Sequence, residues 1–106
     1  MRYLTVTRTE ELSSGERDVF EVEGLFVIVF NVDGRYYAIE DRCTHEDLPL
    51  EDGELDGYEL TCPYHGARFD IRTGKVLAMP AVQDVRWFPT RVENGAVQIG
   101  LEDEDA

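Results

Sequence analysis

Lysine occurs once in this chain of 106 residues, at position 75, and basic residues number 10 against 23 acidic ones, for a net charge of −13. So few cations cannot neutralise a run of phosphates, which excludes nucleic acid as an expected partner. Long apolar runs are also missing: none approaches the roughly 20 residues that span a bilayer. The opening MRYLTVTRTEEL has neither the basic end nor the apolar core of a secretion signal. A soluble, cytoplasmic protein with no membrane partner is expected. Cysteine occurs only twice, and without a secretion signal two cysteines favour thiolates over a structural disulfide, because the cytosol keeps thiols reduced. The length leaves room for one modest core and not for a second catalytic domain.

What is present alternates as strands do, and the expected fold class is all-β. Leu25 to Val32 is a nearly continuous apolar run, joined to Arg35–Ile39 across Asp33-Gly34, a pair suited to a tight hairpin turn. Trp87–Val92 and Ala96–Ile99 flank Asn94-Gly95, which has the same turn chemistry and predicts a closing hairpin. Tyr3–Thr7 and Val19–Val22 complete the base. Between them one helical turn is expected, begun by Thr9 through its hydroxyl and ended by Ser13-Ser14-Gly15. Phe20, Phe26, Phe30 and Trp87 are expected in the core. From about residue 41 to 81 the texture changes to short strands at best, Tyr58–Thr61 and Arg68–Ile71, with three of the four prolines. This reads as a lobe inserted in a base made of residues 1–40 and 82–101, within a single domain 1–106 that ends in an acidic tail, 102–106.

All the cysteine and histidine lies in that lobe, as Cys43-x-His45 and Cys62-x-x-His65. A zinc site of two cysteines and two histidines usually takes the cysteines from one pair and the histidines from the other. Each pair here is mixed. Mixed pairs suit a binuclear centre, where each loop sets a thiolate on one iron and an imidazole on its neighbour, and two histidines replacing two cysteines on one iron define the Rieske 2Fe-2S centre. A Cys43–Cys62 disulfide would leave both histidines beside it as coincidence. A zinc-stabilised β domain without redox function stays open, since affinity order does not exclude that metal.

Cys43-Thr44-His45 and Cys62-Pro63-Tyr64-His65-Gly66 resemble the two binding boxes of the Rieske family, and the likeness extends over roughly Arg2 to Leu101. It implies a β-sandwich base, one 2Fe-2S cluster, Cys43 and Cys62 on an inner iron, and His45 and His65 on an outer iron near solvent. Pro80 resembles the proline of a third loop that shields the cluster. Within the family the chain is most similar to the small ferredoxins of bacterial ring-hydroxylating oxygenases. Respiratory and photosynthetic members carry an additional cysteine in each box, joined in a disulfide; here Leu48 or its neighbours and Tyr64 stand at those places. Those members also follow His-Gly with Ser-x-Tyr, whose hydroxyls hydrogen-bond sulfur, whereas this chain has Ala67, Arg68 and Phe69.

The resemblance implies a monomeric one-electron carrier between a flavin-containing ferredoxin reductase and a terminal oxygenase. It implies no catalysis by the chain itself: a mononuclear iron site takes two histidines and a carboxylate, and none remains once both have been used. A Rieske subunit of another reductase, such as one reducing nitrite, is the alternative. Leu48, Pro49, Pro63, Tyr64 and Pro80 form an expected apolar collar where a redox partner docks, or loop packing that excludes water. The run Glu51 to Asp56 either steers a basic partner or is solvated surface.

Overall fold

The computed structural model describes residues 1–44, 47–81 and 83–102. His45, Glu46, Val82 and the tail from Asp103 onward therefore lie outside the described residues. Strands and turns make up nearly all of the rest, as the alternating pattern predicts.

The first hairpins follow from turn chemistry. Strand β2 (Arg17–Val22) pairs with β3 (Leu25–Val32), and β3 pairs with β4 (Arg35–Glu40). Asp33-Gly34 and Asn94-Gly95 both place two successive residues at positive φ, the geometry whose twist matches the flanking strands. Glu23-Gly24 does the same between β2 and β3. No Asn-Gly or Asp-Gly signal marks that turn.

The expected strand Trp87–Val92 is two strands. Pro89 has no N–H for a ladder, and the chain changes sheets there. Trp87–Phe88, which is β9, pairs with β4, whereas Thr90–Glu93, β10, pairs with β11 (Ala96–Leu101). With β1 (Arg2–Arg8) on the other side of β11, the base consists of one sheet in the order β1-β11-β10 and a second in the order β2-β3-β4-β9. A 3-10 turn at Thr9–Glu11 follows β1, but Arg8 occupies its cap position and no side chain caps it, so Thr9 does not play the predicted part.

The lobe holds a third sheet, β5-β6-β7-β8, formed by Glu54–Asp56, Glu59–Thr61, Arg68–Asp70 and Val76–Ala78. Its outer strands β5 and β8 were not expected from the sequence. One core joins Val27, Val29, Ala38, Phe88, Val97 and Ile99 between the base sheets, and another gathers Ile28, Phe30, Ile39, Leu50, Leu60, Phe69 and Ile71 between base and lobe. Central strand β3 serves both, because its successive side chains point to opposite faces. Phe30 is buried and Phe20 packs against the core, but Phe26 is 55% exposed and Trp87 49%. Both lie near strand ends, Phe26 second in β3 and Trp87 first in β9. Among the described residues no helix is long and apolar enough to cross a membrane.

Candidate metal centre

Cys43 begins the loop that leaves β4, and Cys62 begins the loop between β6 and β7. The two loops share one pattern of backbone hydrogen bonds. The N–H of Cys43 donates to the carbonyl of Leu48, five residues on (2.7 Å), and its carbonyl accepts from Asp47, four residues on (2.8 Å). For Cys62 the same offsets lead to Ala67 (2.7 Å) and Gly66 (3.1 Å). Residue i+4 is left-handed in both, Asp47 with φ 57° and Gly66 with φ 78°. Glycine takes that conformation without strain and aspartate is among the few other residues that tolerate it. Each loop thus closes on its own cysteine, and in the second Pro63, Tyr64 and His65 stand exposed between the closing bonds.

Both thiols point inward. Cys43 is 1% exposed and Cys62 2%, in the same core cluster, and they are not joined in a disulfide. His65 stands exposed on the tip of the second loop; His45 lies outside the described residues. Among the described residues no three cysteine, histidine or carboxylate side chains converge on one point. Two buried thiols and an exposed imidazole on paired loops are donors that a binuclear iron–sulfur centre can take.

Around this frame lies apolar surface. Leu48 is half-buried, Pro49, Pro63 and Tyr64 are exposed, and Pro80 is half-buried after a cis peptide bond with Met79. Ala78 pairs with Arg68, so the chain leaves β8 beside the end of the second box. It reaches the first box at residue 83, where the Thr44 hydroxyl donates to the Gln83 carbonyl at 2.7 Å. The segment carrying Pro80 thereby runs from one loop to the other, and Thr44 ties it to the first box, while the Asp84 carboxylate accepts from the Val76 N–H at 2.9 Å and the Val85 N–H donates to the Gly74 carbonyl at 2.8 Å. Thr44→Val deletes the donor. Such a bond is worth about 1 kcal/mol, and amide exchange through residues 79–85 is expected to quicken by a factor of about 5, with Thr44→Ser restoring protection. Unchanged exchange in the valine variant would show that the segment is held by other contacts.

Charge around the loops is mostly negative. Glu51, Asp52, Glu54 and Asp56 are all exposed. Arg42 lies beside the first box, but its guanidinium is engaged by Asp47 at 2.8 Å and Glu40 at 3.5 Å. Exposed ion pairs of this kind contribute little to stability. Their consequence is that the nearby cation is already matched.

Comparison with known proteins agrees with this geometry. The model of the Rieske [2Fe-2S] domain matches residues 2–89. The ferredoxin component of the naphthalene 1,2-dioxygenase system of Pseudomonas putida is 34% identical over 101 residues, covering 95% of this chain and 97% of the relative. The ferredoxin of carbazole 1,9a-dioxygenase from Nocardioides aromaticivorans IC177 superposes with a TM-score of 0.89 at 30% identity, over 96% of this chain and all of that one (100%). A ferredoxin solved in complex with its reduced oxygenase, also of carbazole 1,9a-dioxygenase, superposes with a TM-score of 0.84 at 30% identity, covering 94% and 97% of the two chains.

Proposed function

Because the chain belongs to the Rieske [2Fe-2S] domain family, we propose that it takes single electrons from a flavin-containing reductase and passes them to the terminal oxygenase of a ring-hydroxylating dioxygenase system. It is a ferredoxin component, an electron carrier and not itself a catalyst, and it carries one Rieske-type 2Fe-2S cluster. Cys43 and Cys62 are assigned to the inner iron, His45 and His65 to the outer. The observation behind that assignment is the contrast within equivalent loops: two thiols sealed in the core, and a histidine exposed at the tip.

When bound, the cluster takes up and gives back one electron. The remaining work falls to the chain. Leu50, Leu60, Phe69 and Ile71, all but wholly buried with the thiols, keep water from the cysteine side. The exposed His65 edge sets the end at which a partner must dock, and Pro49, Pro63 and Tyr64 supply apolar surface around it. We assign the lobe to residues 41–81 and the base to 1–40 and 82–101 of one domain; the support for this is the separate sheet β5-β6-β7-β8. The carrier works as a monomer in the cytoplasm, and a net charge of −13 argues against any nucleic-acid partner.

Metal and sulfide analysis of anaerobically purified protein tests this reading. About two irons and two acid-labile sulfides per chain are expected, from the composition of the cluster. Zinc without sulfide would reject it. The midpoint potential is expected near the lower end of the Rieske range, roughly −150 mV. Neutral imidazoles lift it above an all-cysteine ferredoxin, but Ala67 and Phe69, fully buried in the thiols' own core, offer no hydroxyl to sulfur. Ala67→Ser adds one donor with the least added volume. One hydrogen bond of about 1 kcal/mol favouring the reduced state corresponds to an upward shift of roughly 40 mV, and a potentiometric titration without that shift would place Ala67 out of reach of sulfur.

A further inference from the structure

Phe26 is more than half exposed, although the four residues after it on β3 are all but wholly buried. Its ring lines a groove of about 420 Å³ together with Val19, Asp41, Pro49 and Glu51. The groove lies where the base meets the first box and is fixed at both ends. The Asp41 N–H donates to the Phe26 carbonyl at 2.8 Å, two residues before Cys43, and the returning loop is held by the Leu50 N–H on the Asp41 carboxylate at 2.6 Å. Its wall is apolar and its rim is acidic. Neither rim carboxylate has an ion-pair partner among the described residues. Asp41 above all, then burial, Asp52 and Asp18, push the Glu51 carboxyl above its ordinary range, the mark of the negative charge around it; the nearby Arg17 guanidinium is engaged by the Glu51 and Gly53 carbonyls, at 3.2 and 2.6 Å.

We propose that this groove receives a cationic segment of a redox partner, with a guanidinium or ammonium group on the Asp41–Glu51 rim and an apolar side chain against Phe26, Val19 and Pro49. The inference rests on the carrier reading above and deepens it: docking extends from the histidine tip down one flank of the first box. Charge complementarity selects the occupant. A neutral apolar segment would bury two unmatched carboxylates, which costs free energy, whereas an arginine both pairs with the rim and stacks on the ring. The groove also gives the acidic surface a geometric role, since a cation docked there is oriented toward the loop that carries Cys43.

Three holo-protein variants decide it, titrated calorimetrically against the purified cognate reductase and, separately, the oxygenase. Phe26→Ser is expected to weaken binding of one of them by about tenfold. Trp87→Ser, a comparably exposed aromatic outside the groove, should leave both affinities unchanged. Glu51→Gln, at an exposed position where folding is not at stake, should flatten the fall of affinity with salt. Wild-type affinity in Phe26→Ser for both partners, an equal loss in Trp87→Ser, or an unaltered salt dependence in Glu51→Gln would each overturn the groove. Visible absorption before and after dithionite separates the two levels of inference. A wild-type protein that dithionite does not bleach overturns the carrier reading, while normal bleaching with unaffected binding removes only the groove.

Discussion

His65→Ala, purified without oxygen, is expected to emerge colourless and with little or no iron, while its far-ultraviolet circular dichroism remains that of a β protein. His65 is exposed, so its removal takes nothing from the core, and an unchanged β dichroism would show that the fold survives. Loss of colour would therefore report ligation and not unfolding. Cys62→Ala makes the complementary test. Cys62 is 2% exposed among Leu60, Ala67 and Phe69, and alanine leaves a space of only one sulfur there. The same empty, folded product is expected, because an anionic ligand is gone from the cysteine side. Ligation and folding are nevertheless linked, since the loops are stabilised by what they bind. Both variants should consequently melt below the loaded wild type and close to the wild type stripped of iron. A fully loaded His65→Ala protein of ordinary colour would remove His65 from the ligand set.

Why candidate ligands stand out in the sequence, and parts of the fold do not, follows from where the information sits. Cysteine and histidine announce their chemistry by type, and with only four such residues the pairing Cys43-x-His45 and Cys62-x-x-His65 left little choice. Equivalence of the two loops was hidden because it resides in backbone bonds at offsets of four and five, and because Asp47 holds the left-handed position that Gly66 holds in the other loop. Asp33-Gly34 and Asn94-Gly95 marked their hairpins, but Glu23-Gly24 reaches the same positive φ values with a residue that carries no such signal. Strand β5, Glu54–Asp56, carries two exposed carboxylates and looks like solvated surface, and β8, Val76–Ala78, is apolar throughout and shows no alternation. Hydrophobicity alone puts Phe26 and Trp87 in the core, whereas their exposure depends on tertiary packing near the strand ends, which no local pattern encodes.

Gly74→Ala is expected to be among the most damaging single substitutions outside the ligands. Gly74 lies at the end of the turn between β7 and β8, buried, with φ 73°, a conformation that costs a residue with a Cβ about 1–2 kcal/mol. A methyl group there would overlap the Val85 carbonyl oxygen and lie 3.1 Å from its carbon, and neither is a flexible side chain that could move aside. The contact exists because the backbones must touch: the Val85 N–H donates to the Gly74 carbonyl at 2.8 Å, joining the lobe to the segment that enters β9. Asp70 fixes the turn from the other side, accepting from Arg72 through its carboxylate at 2.9 Å and from Gly74 through its carbonyl at 2.7 Å. Arg72 holds that carboxyl below the ordinary aspartate range, so its support is present above the ordinary pKa and is lost as pH falls through the depressed one. Gly74 therefore cannot yield toward either neighbour. Adding about 1–3 kcal/mol for overpacking to the conformational term gives a loss of about 2–5 kcal/mol, or at least roughly 10 °C in a domain of this size. Gly57→Ala is the control: its φ is 63°, but nothing lies within 4 Å of the added methyl, so only the conformational term applies. Heating both variants while following the visible absorption of the cluster should show bleaching at a distinctly lower temperature for Gly74→Ala than for Gly57→Ala. Equal midpoints would mean that residues 74 and 85 separate without consequence, and that the lobe is held to the base by the shared core alone.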